Sequence, residues 1–297
     1  MSTAEPWTIA RLLQWTTGFL KERGADTPQL DAQVLLAHAL KCEKIMLYAR
    51  FAETLPEATL SEFRGLVKQR ASGMPVAYLI GNREFFSLDF KVTPDVLIPR
   101  PDTEFAVLGL TDAAKTLKPA VRKDGFEIAD VGTGSGILAI CGVKKIPGAR
   151  AAAIDISPAA LNVARENAES HKVTERIEFI ESDLFAAVPK ERKFDFIVSN
   201  PPYITTAEMA ELDRDVRDFE PQLALEAGPK GTEIIERLVP QAAERLVPGG
   251  HLFIEISPQL NEAVAAIITA EPRLELLPTI EDHSRRPRIA HARRRMN

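Results

Sequence analysis

The sequence predicts an α/β fold: a parallel sheet covered by helices on both faces, preceded by a small all-helical domain. Three observations carry this. From Gly125 to Ile256, strand-like apolar runs alternate with helix-like runs, the β-α-β order that builds a parallel sheet. The first eighty or so residues show helical spacing of apolar residues and no strand alternation. Between these regions, an aromatic, loosely alternating stretch and a group of prolines mark a β-hairpin and a linker. The 297 residues thus divide into a helical domain at 1–82, a hairpin and linker at 83–101, and an α/β domain at 102–297.

In chain order, Thr8 caps a first helix whose apolar face takes Leu12, Trp15 and Phe19 at i, i+3 and i+7, and Gly24 stops it. Thr27 caps a second, with Pro28 in the first position and Leu30, Val34, Ala37 and Leu40 as its face. A short helix is expected at 44–50 and a longer one over Glu57–Ala71, ended by Ser72-Gly73. Residues 84–92 suit a hairpin. Thr93-Pro94 and Pro99-Arg100-Pro101 punctuate the linker before a helix that begins near Asp102. Strands then follow at 126–131, 150–156, 176–180, Phe194–Ser199 and 251–256, with helices at 137–145, 158–170 and 230–246 and a turn at 247–250.

Composition sets the outer limits. Apolar residues make up 45% and charged residues 27%, enough for a real core. The net charge of −5 gives no broad electrostatic footprint for nucleic acid, so none is expected as a partner. Arg285, Arg286, Arg288, Arg293, Arg294 and Arg295 crowd the C-terminal end, which reads first as a solvated, partly frayed tail and second as a local contact with RNA or an acidic partner. Two cysteines in unrelated contexts make no disulfide framework, and the five histidines have no metal-ligand spacing. No metal is expected. Neither a leader at Met1 to Trp7 nor a long apolar run is present, so a cytoplasmic protein without a membrane partner is the expectation, and a monomer.

Asp130-Val131-Gly132-Thr133-Gly134-Ser135-Gly136 follows the first strand of the α/β domain and opens a helix. Glycines there let the backbone pass close to a ligand, and the helix start supplies free N–H groups. A dinucleotide fingerprint needs glycine or alanine at position 137, where this chain has Ile137. The G-x-G-x-G spacing is instead similar to the methionine-binding loop of class I methyltransferases. Asp155, ending the second strand, can accept both hydroxyls of a ribose, which fits NAD and S-adenosylmethionine alike. Asp183 can accept from an adenine amino group, and Leu184 can pack on the ring.

The fourth strand runs into Asn200-Pro201-Pro202-Tyr203. A strand terminator would use Asn and Pro, but would not call for two prolines and an aromatic at a strand end facing a nucleoside site. The chemistry does. An amide or aromatic amino nitrogen is a poor nucleophile because its lone pair is delocalised. The Asn200 side-chain carbonyl and the Pro201 backbone carbonyl can accept its two N–H protons and localise that pair. Pro201 and Pro202 have no N–H to compete and stiffen the turn, and Tyr203 can stack on the flat group. Catalysis is then mostly positioning in line with a sulfonium. These four residues alone do not separate a glutamine amide from an adenine amino group.

The Asn200 to Tyr203 motif with the Gly132 to Gly136 loop resembles the amino-methyltransferases of adenine, cytosine and glutamine. Gly81-Asn82-Arg83-Glu84-Phe85, Leu97-Ile98-Pro99-Arg100-Pro101-Asp102-Thr103-Glu104 and Arg217-Asp218-Phe219-Glu220-Pro221 resemble segments of the peptide chain release factor glutamine methyltransferase (PrmC/HemK) family over nearly the whole chain. The resemblance implies a class I, Rossmann-like methyltransferase fold. It implies S-adenosyl-L-methionine as cofactor, with S-adenosyl-L-homocysteine as product, and methylation of N5 of the glutamine in the Gly-Gly-Gln loop of class 1 release factors. It also implies that the helical domain helps dock the factor and that Arg100 to Glu104 lie near the cofactor. Ser135 conforms to the family loop, whereas Leu184 stands where some members have an aromatic. The alternatives are a ribosomal-protein glutamine, an N6-adenine of DNA or RNA, and, last, a non-enzymatic sensor of S-adenosylmethionine or NAD.

Overall fold

The computed structural model describes residues 6–296, so most of the segment searched for a leader lies outside the described residues. Two compact units are formed, Met1–Asn82 with Asp213–Phe219, and Arg83–Leu212 with Glu220–Asn297.

The first unit is helical. Helix α1 (Ile9–Glu22) is capped as expected, the Thr8 hydroxyl accepting from Arg11 N at 3.3 Å. Its buried stripe, however, is Ile9, Leu12, Thr16 and Leu20. Trp15 is 51% exposed and stacks on Phe19 with ring centroids 5.0 Å apart. The expected stripe followed the largest side chains; the packed one follows the aliphatic residues that fit against a neighbouring helix, leaving Trp15 at the surface and Phe19 at its edge. Helix α2 (Pro28–Ala39) shows the same correction: Leu35 and Leu36 are buried and Leu30 is exposed. Thr27 makes no capping bond to the backbone; its hydroxyl donates to Asp31 at 2.8 Å. Asp31 is buried and paired with Arg70 at 2.7 Å, an ion pair whose loss on one side would strand a charge. Helices α3 (Lys44–Ala49), α4 (Glu57–Ala71) and α5 (Val76–Ile80) complete the series. Five residues are too few to show a period, so α5 was not predictable from spacing.

The second unit opens with β1 (Asn82–Phe85) and β2 (Leu88–Lys91), a two-stranded hairpin. Its two connecting residues, Phe86 and Ser87, both have positive φ, 51° and 59°, as a two-residue hairpin turn requires. Then come α6 (Glu104–Thr116), β3 (Glu127–Val131), α7 (Ile137–Lys145), β4 (Arg150–Asp155), α8 (Pro158–Ser170), β5 (Ile177–Glu181) and β6 (Phe194–Ser199). Strand β7 (Ile204–Thr205) follows, then α9 (Arg214–Phe219), which belongs to the first unit, and β8 (Glu226–Gly228), which pairs with β7. The chain ends with α10 (Glu233–Arg245), β9 (Leu246–Glu255), α11 (Asn261–Ala270), β10 (Leu274–Glu281) and β11 (Pro287–Arg294).

One seven-stranded sheet has the order β10-β11-β9-β6-β3-β4-β5. Strands β3, β4, β5, β6 and β9 are parallel, while β11 is antiparallel to both β9 and β10. The expected turn at 247–250 survives as a register break inside β9, between the pairs Phe194↔Leu246 and Phe196↔His251. Strands β10 and β11 correct the reading of the C-terminal end as a frayed tail. Ile289, Ala290 and Ala292 are buried, and the arginines that flank them find partners. Arg288 pairs with Asp102 and Asp282, each at 2.9 Å, Arg293 with Glu275 at 2.7 Å, and Arg294 donates to the carbonyls of Ala243 and Leu246. Six arginines hid an interior strand because guanidiniums at a strand's ends can leave the sheet and bond elsewhere.

The path from β5 back across β3 to β6 makes a switch in strand order between β3 and β6. In open α/β sheets a ligand crevice forms at the carboxyl ends of the strands at such a point. The ends of β3 and β6 are the Gly132 loop and Asn200.

Candidate active site

Val131 pairs with Ser199, so the residues that follow, Gly132 and Asn200, lie side by side. The Ser199 hydroxyl donates to Val131 O at 2.6 Å and ties the two strand ends together. A cavity of 310 Å³ opens above them, within the size range of small-molecule sites. Of the residues singled out in the sequence, Gly132, Thr133, Gly134, Ser135, Asp155, Asp183, Leu184, Asn200, Pro201 and Pro202 all line it. Gly136 and Tyr203 do not.

The glycine loop is folded back onto β4, with Gly132 N and Thr133 N both donating to Ile154 O at 2.8 and 2.9 Å. Gly134 has φ 53°, and a Cβ there would meet nothing within 4 Å, so this glycine serves the backbone bend and leaves room for a ligand. Gly136 has φ 85°, and a Cβ would come within 3.1 Å of Ala164, so its role is to seat α7 against α8. Asp130 works from beneath. Its buried carboxylate accepts from the Thr133 hydroxyl at 2.6 Å and from Ala139 N at 2.9 Å, and burial pushes it up to about 7.

Asp155 ends β4 and faces the cavity. One oxygen accepts from Gly134 N and the other from Ser157 N, both at 2.9 Å. Each carboxylate oxygen has a second lone pair, so two further donors, such as two ribose hydroxyls, can still be accepted. Burial raises its pKa while the backbone bonds oppose that shift. Asp183 is already paired with Arg237 at 2.6 Å, both being half-exposed. Leu184, at φ 50°, presents a buried apolar surface beside it. Asp155 and this apolar wall offer an acceptor and a flat apolar surface that fit an adenosyl group.

At the other end of the cavity, Asn200 Nδ2 donates to the Thr103 hydroxyl at 3.3 Å. Thr103 is wholly buried and ends the 3₁₀ turn Pro101–Thr103. The segment before that turn is clamped by Glu220, which accepts from Ile98 N at 3.0 Å and from Arg100 at 2.5 Å. Glu220 and Glu255 were not picked out as site residues by sequence reasoning, since nothing local marks either carboxylate as inward-facing. Tyr203 is half-buried; burial raises its phenol, with Glu255 acting in the same direction and Arg100 and Arg288 against it. Gly231 passes so close that a Cβ would lie 2.7 Å from Tyr203 O, which fixes the backbone beyond the two prolines. Among the described residues no group of side chains could hold a metal ion, and no helix is long and apolar enough to cross a membrane.

Comparison with known proteins agrees with this geometry. Family profiles described as PrmC N-terminal domain and as methyltransferase small domain match residues 11–81 and 104–214. The chain is 44% identical over 259 residues to the release factor glutamine methyltransferase of Rhodopirellula baltica, covering 87% of each chain. It is 42% identical over 288 residues to that of Moorella thermoacetica, covering 97% of this chain and 99% of the other. Among solved structures, the hMettl16 catalytic domain in complex with MAT2A 3′UTR hairpin 6 aligns with a TM-score of 0.54 at 14% identity, over 78% of this chain and 82% of that one. A methyltransferase from Pyrococcus furiosus aligns with a TM-score of 0.50 at 18% identity, over 79% and 98%. These two share the fold. With close to full-length relatives at such identity, the chain belongs to the release factor glutamine methyltransferase family and is an S-adenosylmethionine-dependent methyltransferase.

Proposed function

We propose that the chain transfers a methyl group from S-adenosyl-L-methionine to the side-chain N5 of the glutamine in the Gly-Gly-Gln loop of class 1 peptide chain release factors. The observation that carries this is the place of Asn200: at the end of β6, beside the glycine loop that ends β3, with its amide nitrogen held by Thr103. The cofactor, when bound, supplies an electrophilic methyl on a sulfonium. Gly132 to Ser135 and Asp155 hold its amino-acid and ribose parts, and Leu184 and Asp183 flank its base. Asn200 Oδ1 and the Pro201 carbonyl accept the two N–H groups of the glutamine amide, which localises its lone pair on nitrogen. Tyr203 closes one side of that plane. The amide proton leaves after transfer, when the nitrogen is strongly acidic, so no strong base is needed. Positioning accounts for the rate.

The first unit gives the release factor a second point of contact. Trp7, Trp15, Phe19, Phe63 and Val67 line an open groove there, with Arg23, Arg64 and Arg214 around it. Two exposed tryptophans, Trp7 and Trp15, with guanidiniums near them suit a protein partner's surface. The chain works as a monomer, which sedimentation checks. The test of the main reading is transfer of radiolabelled methyl from the cofactor to a release factor, to the same factor with its Gly-Gly-Gln glutamine replaced, and to DNA. Label in the first alone supports it; label in the second or third overturns it.

A further inference from the structure

An asparagine carboxamide is nearly symmetric in shape, and half a turn about its last bond exchanges acceptor for donors. In one orientation Asn200 offers the cavity its Oδ1; in the other it offers two N–H groups, which would repel the N–H groups of a substrate amide. Something has to choose. The neighbour of Asn200 in this structure is the Thr103 hydroxyl, 3.3 Å from Nδ2 and wholly shielded from water. A hydroxyl can serve either orientation, because it can donate or accept.

Glu255 removes that freedom. It is the last residue of β9, and the pairing Ser199↔Ile254 sets it beside Asn200. Its carboxylate is 2% exposed, lies next to Thr103, and has no donor on Oε2. An ionised carboxylate only accepts, so the single Thr103 hydrogen must point at it. The Thr103 lone pair is then left for Asn200, and only Nδ2 can use it. We infer that Thr103 and Glu255 are positioning residues that fix the Asn200 amide with Oδ1 towards the methyl acceptor. This rests on the role given to Asn200 above. Burial pushes Glu255 up to about 7, with Thr103, Arg288 and Arg100 opposing and Asp102 adding to it. Measurements at about pH 8.5 therefore hold it ionised.

The test is single-turnover methyl transfer to a release factor by the full chain and by Thr103→Val, Thr103→Ser, Glu255→Leu, Asn200→Ala and the double variant Thr103→Val/Asn200→Ala, with cofactor affinity by calorimetry. A misplaced or half-inverted acceptor costs roughly 10- to 100-fold. Thr103→Val and Glu255→Leu should each lose that much rate with cofactor affinity unchanged, and Thr103→Ser should regain most of it. In the Asn200→Ala background, Thr103→Val should cost nothing further, because it acts only through that amide. If Glu255→Leu fails to fold, the Thr103 pair and the double variant still decide. Thr103→Val at the wild-type rate overturns the inference, as does an equal loss with or without Asn200. Full activity of Asn200→Ala alone would instead remove the function assigned to Asn200, a separate outcome.

Discussion

Glu220 holds a stretch of chain that carries Arg100 and Thr103, so its removal should act on stability and on the site together. In Glu220→Ala, the Ile98 N–H loses its buried acceptor, a cost of about 1–3 kcal/mol. Arg100 loses its partner as well, but it is 34% exposed and can turn to water, so that part is worth about 1 kcal/mol at most. The sum is about 1–4 kcal/mol. Glu220→Gln keeps an acceptor for Ile98 and should lose only the ionic part, about 1 kcal/mol. Both tryptophans, Trp7 and Trp15, lie in the first unit, so their fluorescence follows that unit alone. Urea unfolding should be tracked by circular dichroism for the whole chain, with fluorescence as the internal control. The expected result is an earlier dichroism midpoint for Glu220→Ala, a small shift for Glu220→Gln, and an unchanged fluorescence midpoint. Equal shifts for the two variants would refute the assignment of the larger share to the Ile98 hydrogen bond.

Asp155→Ala should weaken S-adenosylmethionine binding by roughly 100-fold, since it loses two charge-assisted acceptors and unties Gly134 N; unchanged affinity by calorimetry would take Asp155 out of the ribose site. Trp15→Ala should raise the KM for an intact release factor and leave that for a short Gly-Gly-Gln peptide alone, whereas equal effects on both would remove the docking role of the groove. His251 and His291 face each other at 2.8 Å, and burial lowers both, His291 to about 4. From pH 6.5 down to 4 the unfolded chain takes up protons that His291 refuses, so this pair costs stability as pH falls and nothing above that window. Asp130 and Glu255, raised to about 7, act in the opposite sense. The measurement is therefore the difference in urea midpoint between wild type and His291→Leu across that range, which should move in favour of the variant as pH falls; a constant difference would contradict it.

The parts of the site legible in the sequence are those built from one local turn. Strand, glycine loop and helix are contiguous from Asp130 to Lys145, and Asn200 to Tyr203 sit directly at a strand end, so register and spacing expose them. Thr103 acts through a partner 97 positions away, Glu220 through partners 122 and 120 positions away and Glu255 across strands, and no local pattern reports such pairings. The same reason hid the true face of α1. Trp15 and Phe19 satisfy helical spacing as well as Thr16 and Leu20 do, and only the shape of the neighbouring helices selects between them. At β11 the signal was present in Ile289-Ala290-His291-Ala292, but the flanking arginines outweighed it.

The central claim is that the methyl acceptor is the amide nitrogen of a release-factor glutamine held by Asn200. The most direct test is mass spectrometry of a class 1 release factor after incubation with the chain and S-adenosylmethionine. The expected result is a single added methyl on the Gly-Gly-Gln glutamine, formed far more slowly with Asn200→Ala. A methyl on any other residue, or undiminished methylation by Asn200→Ala, would contradict it.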